Sequence, residues 1–153
     1  MSRTDRATRT VSAPLAKVYG ALVEKDSMGS WLAPRGMSAR FDSFDPRPGG
    51  TFRLVLSYAD ESSSNGKTTP DTDVVQGRFV EIVPDSRVVY VVEFVASGPR
   101  FEGEMTMTWE LTEAPGGTRV DILVENVPDA ISRADHAAGL TSSLDNLARF
   151  LES

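Results

Sequence analysis

Apolar positions recur along this chain with two periods, and the change from one to the other divides it into three stretches. Thr8 to Val11 ("TRTV") alternates and carries β-branched residues, so a short opening strand is predicted. Ser12 then offers an N-cap, with Pro14 in the first turn where its missing N–H costs nothing. Leu15, Val18, Tyr19 and Leu22 follow at i, i+3, i+4 and i+7, one face of an amphipathic helix. A shorter helical piece is predicted over Asp26 to Leu32, closed by Pro34.

From there to Asn126 the period is two. "MSARFDSF" and "TFRLVLSY" flank "DPRPGG", whose prolines and glycines demand a turn. Phe52, Leu54, Leu56 and Tyr58 share one face of the second strand. "DVVQGRFVEIV" and "RVVYVVEF" flank a tight turn at Pro84 to Ser86. In "EMTMTWEL", Met105, Met107, Trp109 and Leu111 face one way; in "TRVDILVEN", Val120, Ile122 and Val124 do the same. One apolar and one wet face mark an antiparallel sheet covered on one side. Asp60 to Thr72 is polar and aperiodic, and is expected to be a long hairpin loop.

The third stretch, Ile131 to Leu151, returns to helical spacing. Leu140, Leu144, Leu147 and Leu151 form its stripe, and His136 projects on the same side, within about 40° of Leu140. Asp145 and Arg149 lie opposite, spaced for an exposed i, i+4 ion pair. Gly139 beside the stripe costs up to ~1 kcal/mol against alanine, which suggests close packing or a bend there. The predicted class is α+β, order β-α-α-β6-α: a curved antiparallel sheet of about seven strands closed by one long C-terminal helix. The whole of 1–153 reads as a single domain, with residues 1–6 expected to be a flexible lead.

Composition narrows function mainly by exclusion. A formal charge of −6 and pI near 4.8 disfavour nucleic acid and anionic membranes, which need clustered cations. There is no cysteine, hence no disulfide, thiolate nucleophile or cysteine-ligated metal. No signal-peptide core and no membrane-length apolar run is present, so a cytoplasmic, soluble protein is expected. With a single histidine, neither a metal site nor a cofactor is expected. "RPGG" lacks the lysine and serine or threonine of a phosphate loop and leads into a strand, so it is read as a turn. "DTD" at Asp71 to Asp73 is too short for a calcium loop. A nucleophilic triad would need a serine or threonine beside His136 and a carboxylate behind it, and no G-x-S-x-G is present.

Several motifs in order carry a family resemblance. "APLAKVYGAL", "WLAP", "DPRPGGTFR", "GRFVEIVPDSRVVY" and "HAAGLTSSLDNLARFL" together resemble the START-like or SRPBCC superfamily, the helix-grip fold of polyketide cyclases and lipid-transfer domains. The closest similarity is to the branch named after activators of the heat-shock protein 90 ATPase. One departure is Leu140, where that branch usually has tryptophan; a smaller side chain leaves more room between helix and sheet.

The resemblance implies an elongated, largely apolar cavity between the sheet and the last helix, holding a small hydrophobic or aromatic ligand. The expected lining is Trp31, Leu54, Leu56, Tyr90, Met105, Met107, Trp109, His136, Leu140 and Leu144, which otherwise simply fill a solid core. His136 is the one catalytic candidate; the alternative for it is a helix-end side chain satisfied by a carbonyl or water. An enzyme of cyclase, aromatase or hydrolase kind would use His136 or a buried acid, with Tyr19, Tyr58 or Tyr90 as proton donor. Among strand acids, Glu93, Glu102, Glu104 and Glu110 are expected to face solvent more often than not. A chaperone-ATPase partner ranks last, because little chain precedes Thr8; a homodimer is left open.

Overall fold

The computed structural model describes residues 3–32, 37–58, 72–94, 104–128 and 131–152. Strand β1 (Arg3–Val11) leads into helices α1 (Leu15–Val23) and α2 (Lys25–Trp31). Strands β2 (Met37–Phe44), β3 (Thr51–Tyr58), β4 (Thr72–Val83), β5 (Arg87–Phe94), β6 (Met105–Ala114) and β7 (Gly117–Val127) follow, and α3 (Arg133–Glu152) closes the chain. The strands form one seven-stranded sheet in the order β1-β7-β6-β5-β4-β3-β2, antiparallel at every pairing. Strands β2 to β7 are thus a meander, and β1 is carried across to the far side of β7. This is the α+β helix-grip arrangement that the period changes and motifs predicted.

Curvature comes from register shifts. One lies between Arg3 and Thr4, one between Phe41 and Ser43, and one between Phe79 and Glu81. An extra residue on one strand bends it and raises its local twist. The β4 shift turns Val80 out to solvent, 47% exposed, while Phe79 beside it is fully buried. The "DPRPGG" turn is held against this shift: Gly49 N–H donates to Phe79 O, and Phe79 N–H to Gly50 O, both at 2.8 Å. A Cβ on Gly50 would fall 2.1 Å from Asp45 O, so that turn requires glycine. Gly77 serves a different need: its missing side chain is the space the Phe52 ring occupies, 2.1 Å from where a Cβ would sit.

The helices cover the concave face. Val18, Ala21 and Leu22 of α1, Met28 and Trp31 of α2, and the leucine stripe of α3 are all buried there. Trp31 Nε1 donates to Ala21 O at 3.0 Å, satisfying a carbonyl near the end of α1. Ser143 Oγ donates to Leu32 O at 2.9 Å, and Lys17 Nζ to Leu151 O at 3.2 Å, so α3 is tied to the first helical layer along its length. Among the described residues no helix is long and apolar enough to cross a membrane.

Four expectations change, and a fifth falls outside the described residues. Strand β1 begins at Arg3, not Thr8, so residues 3–6 are not a loose lead but pair with β7. Ser12 does not cap α1; the N-cap is Pro14, and Ser12 N–H donates instead to Glu152 Oε2 at 2.9 Å. Asp145 finds its cation on the sheet, at Arg9, while Arg149 donates to Asn146. Gly139 is not closely packed: among the described residues a Cβ there meets nothing within 4 Å beyond its chain neighbours and its own helix backbone. The predicted loop over 60–72 lies outside the described residues, apart from Thr72, which opens β4.

Candidate functional site

The strand register assembles the site. Phe79 stands opposite Tyr90, Tyr90 opposite Met107, Met107 opposite Val124 and Val124 opposite Asp5. Directly opposed residues of antiparallel neighbours point to the same side, so these five side chains form one row across the concave face. Phe79, Tyr90, Val124 and Asp5 are buried; Met107, in the middle, is only half-buried. The row is aromatic at one end, ionic at the other, and partly open between.

At the aromatic end, Tyr90 packs edge-on against Phe52 (centroids 5.4 Å, 89°) and Phe79 (5.9 Å, 79°). Trp109 Nε1 donates to Tyr90 Oη at 2.9 Å, and Trp109 in turn meets Trp31 in a T-shaped contact at 5.3 Å. Burial drives the Tyr90 phenol well above its ordinary range, only partly offset by the bond from Trp109. The group therefore stays protonated, and among the described residues its own proton has no acceptor.

At the ionic end, Asp5 is 4% exposed and His136, on the first turn of α3, 17%. His136 Nδ1 lies 2.6 Å from Asp5 Oδ2, and Arg3 Nη2 lies 3.0 Å from the same oxygen. Arg133 Nη1 approaches Asp5 Oδ1 at 3.4 Å. Burial by itself would raise the Asp5 carboxyl; hydrogen bonds from His136 and Arg3, with their positive charge, outweigh it and hold the group below 3.8. An ionised carboxylate can only accept, so Nδ1 carries the proton that faces Asp5, and Nε2 is the ring nitrogen left for another partner. That is the base-and-orienting-carboxylate half of a catalytic triad; no hydroxyl is bonded to the ring among the described residues.

The sequence-predicted lining divides accordingly. Trp31, Leu54, Tyr90, Met105, Trp109, Leu140 and Leu144 are buried in the core, while Leu56, Met107 and His136 are half-buried. Tyr90, Met107 and His136 belong to the row and its ionic end; Trp31 and Trp109 back the phenol. Tyr19 lies elsewhere: burial and then the charge of Asp85 raise its pKa. The side chain of Tyr58 and all of Glu102 lie outside the described residues, and Glu93, Glu104 and Glu110 are exposed. Among the described residues the buried acid is Asp5, which sequence reasoning missed together with Arg3 and Arg133. The alternation of β-branched Thr4, Thr8 and Thr10 was the available signal for extending β1 over it. An open depression of about 660 Å³ between Ser12–Ala16, Asp85, Glu113, Ala114, Gly116 and Gly117 contains none of the predicted lining residues.

Comparison with known proteins bears on the fold. A solved structure of a Chromobacterium violaceum protein is 29% identical, with a TM-score of 0.86 over 98% of this chain and 97% of that one. A Rhizobium leguminosarum protein at 23% identity has a TM-score of 0.75, covering 99% and 95% of the two chains. DynU16, a protein in the dynemicin biosynthetic locus, is 20% identical with a TM-score of 0.70; 98% of this chain spans 47% of it. The last two likenesses are of fold alone. No curated protein matches the chain. A family model described as activator of Hsp90 ATPase homolog 1-like protein matches residues 12–152, nearly the whole fold, and the chain belongs to that family.

Proposed function

We propose that the protein binds a small, largely apolar, flat ligand between α3 and the concave sheet, over Met107, as a carrier or sensor. The single observation that carries this reading is the half-buried Met107 in a row whose other members are buried. Methionine is soft and unbranched, and adapts to ligands of varied outline. Leu56 and His136, also half-buried, add apolar and polar edges, and Leu140 takes less room than the tryptophan usual at that position. Tyr90 offers a protonated phenol to a ligand oxygen.

Thermal unfolding with naphthalene, 2-naphthol and 2-methoxynaphthalene as probes tests the reading. A probe at a hundred times its Kd stabilises by about 2.7 kcal/mol. For a chain of this size that is a rise in Tm of about 5–10 °C. Met107→Trp, which fills the space, removes the rise while the protein still unfolds cooperatively. No rise with any probe would sink the proposal.

A second reading, an enzyme in which His136 moves a proton, is favoured by Asp5 standing behind Nδ1. It requires that His136→Ala abolish turnover of a bound compound and leave its binding in place. Equal turnover in the variant removes this reading.

A further inference from the structure

The ionic end of the row contains an incomplete pair. Arginine and aspartate normally meet side-on, with two parallel N–H donors on the two carboxylate oxygens. Here only half of that arrangement forms: Arg3 Nη2 reaches Asp5 Oδ2 at 3.0 Å. The other half, Arg3 Nε and Asp5 Oδ1, is buried and neither atom has a hydrogen-bond partner among the described residues. Oδ2 already receives His136 Nδ1 at 2.6 Å as well, so the unmet capacity lies on the other oxygen. Arg133 Nη1 stands 3.4 Å from Oδ1, an ion pair without a hydrogen bond. Buried polar atoms are almost always bonded, and a buried donor beside a buried acceptor on one residue pair calls for a reason.

Resting on the ligand-binding reading above, we infer that Arg3 and Asp5 form a hydroxyl-recognition site, so that the ligand is an alcohol or phenol on an otherwise apolar frame. A hydroxyl is the simple group that both donates and accepts. With the partly exposed Arg3 side chain turned aside to admit it, the hydroxyl gives its proton to Asp5 Oδ1 and receives the N–H of Arg3 Nε, closing both unmet bonds. A ligand carboxylate only accepts, and brings its charge against that of Asp5. An ammonium only donates, and meets Arg3 and Arg133. An ether accepts from Arg3 but leaves Oδ1 bare. The spacing fits a fused two-ring compound: Asp5 lies two strands from Met107 along the row, about 10 Å. The remaining neighbours on this stretch, Val124 and Met107, are apolar.

Isothermal titration with 2-naphthol and 2-methoxynaphthalene, equal in ring system and different in the proton, tests the inference. The wild-type protein binds 2-naphthol at least about tenfold more tightly, the usual worth of a hydrogen bond to a charged group. In Asp5→Leu and in Arg3→Met the ratio falls toward one. Arg3→Met keeps the bond between Asp5 and His136 and so keeps the fold should Asp5→Leu lose it. Equal affinities in the wild type overturn the hydroxyl site while leaving the apolar pocket standing. Binding of neither compound overturns both.

Discussion

The two ends of the concave row are built on opposite principles. On the β2–β5 side, Phe41, Phe44, Phe52, Phe79 and Tyr90 stack in edge and tilted contacts, from 4.9 Å between Phe41 and Phe44 to 6.4 Å between Phe44 and Phe52. They come from strands adjacent in the chain, and their contribution grows with the apolar area removed from water. On the β1–α3 side a single buried carboxylate draws Arg3, Arg133 and His136 together from the two ends of the sequence. There the Coulomb gain is set against the cost of taking charges out of water, and the two nearly cancel. The aromatic end supplies stability, whereas the ionic end is close to neutral when intact and costly when half-dismantled.

The largest effect belongs to the aromatic end. Trp109 is 1% exposed and holds Trp31 on one side and the Tyr90 phenol on the other. Trp109→Ala lowers stability by about 3–5 kcal/mol, read from urea denaturation. A loss below about 1 kcal/mol would mean that the interior collapses easily around the gap, against the close packing described. Trp109→Phe separates the two roles: it keeps most of the volume and removes the bond to Tyr90.

This asymmetry also explains which parts of the molecule could be read from the sequence. The aromatic end was legible because strand parity is local: Phe52 and Leu54, or Met105, Met107, Trp109 and Leu111, announce a face within a few residues. The succession of elements along the chain, the closing helix and the side on which His136 projects follow from the same periodicities. The ionic end was not legible. The positions of β1 on the side of Asp5 run Arg3, Asp5, Ala7, Arg9 and Val11, so this face carries charges and shows no apolar alternation. Asp5 acquires its meaning from His136, 131 positions away, through a register that only the folded sheet defines. Likewise Asp145 pairs with Arg9 of β1, which helix spacing cannot foresee.

The next effect tests the ionic end. Asp5→Ala leaves His136 and Arg3 around an uncompensated site and lowers stability by about 3 kcal/mol. Adding His136→Leu recovers at least about 1 kcal/mol of that, because a group that needed the carboxylate is gone. Strict additivity in this double-mutant cycle would contradict the coupling inferred from the 2.6 Å contact. The same residue sets an acid dependence. Its folded-state pKa lies below the ordinary 3.8, so the unfolded chain binds the proton first. The Asp5 contribution is therefore whole above that ordinary value and is lost as pH falls through the lower folded one. Arg3, Arg133 and His136 are the charged groups facing it, from β1 and α3. Stability measured against pH falls less steeply below about pH 4 in Asp5→Asn than in the wild type. An unchanged acid limb would remove Asp5 as its source.

The smallest effect concerns the stretch of α3 between the two ends. Gly139 follows His136 by less than one turn and precedes the buried Leu140, yet among the described residues nothing beyond its own helix lies within 4 Å of where a Cβ would sit. Nothing steric then requires glycine, and the flexibility it adds to the unfolded chain is a pure cost. Gly139→Ala raises stability by about 0.5–1 kcal/mol, or about 1–4 °C in Tm. The sharper use of this variant is its combination with the naphthalene probes. A methyl group beside Leu140 leaves affinity unchanged if the ligand lies wholly over Met107, toward the sheet. Weaker binding in a protein made more stable would place the ligand against the Gly139 turn of α3, and would make the glycine a feature of the pocket rather than of the helix.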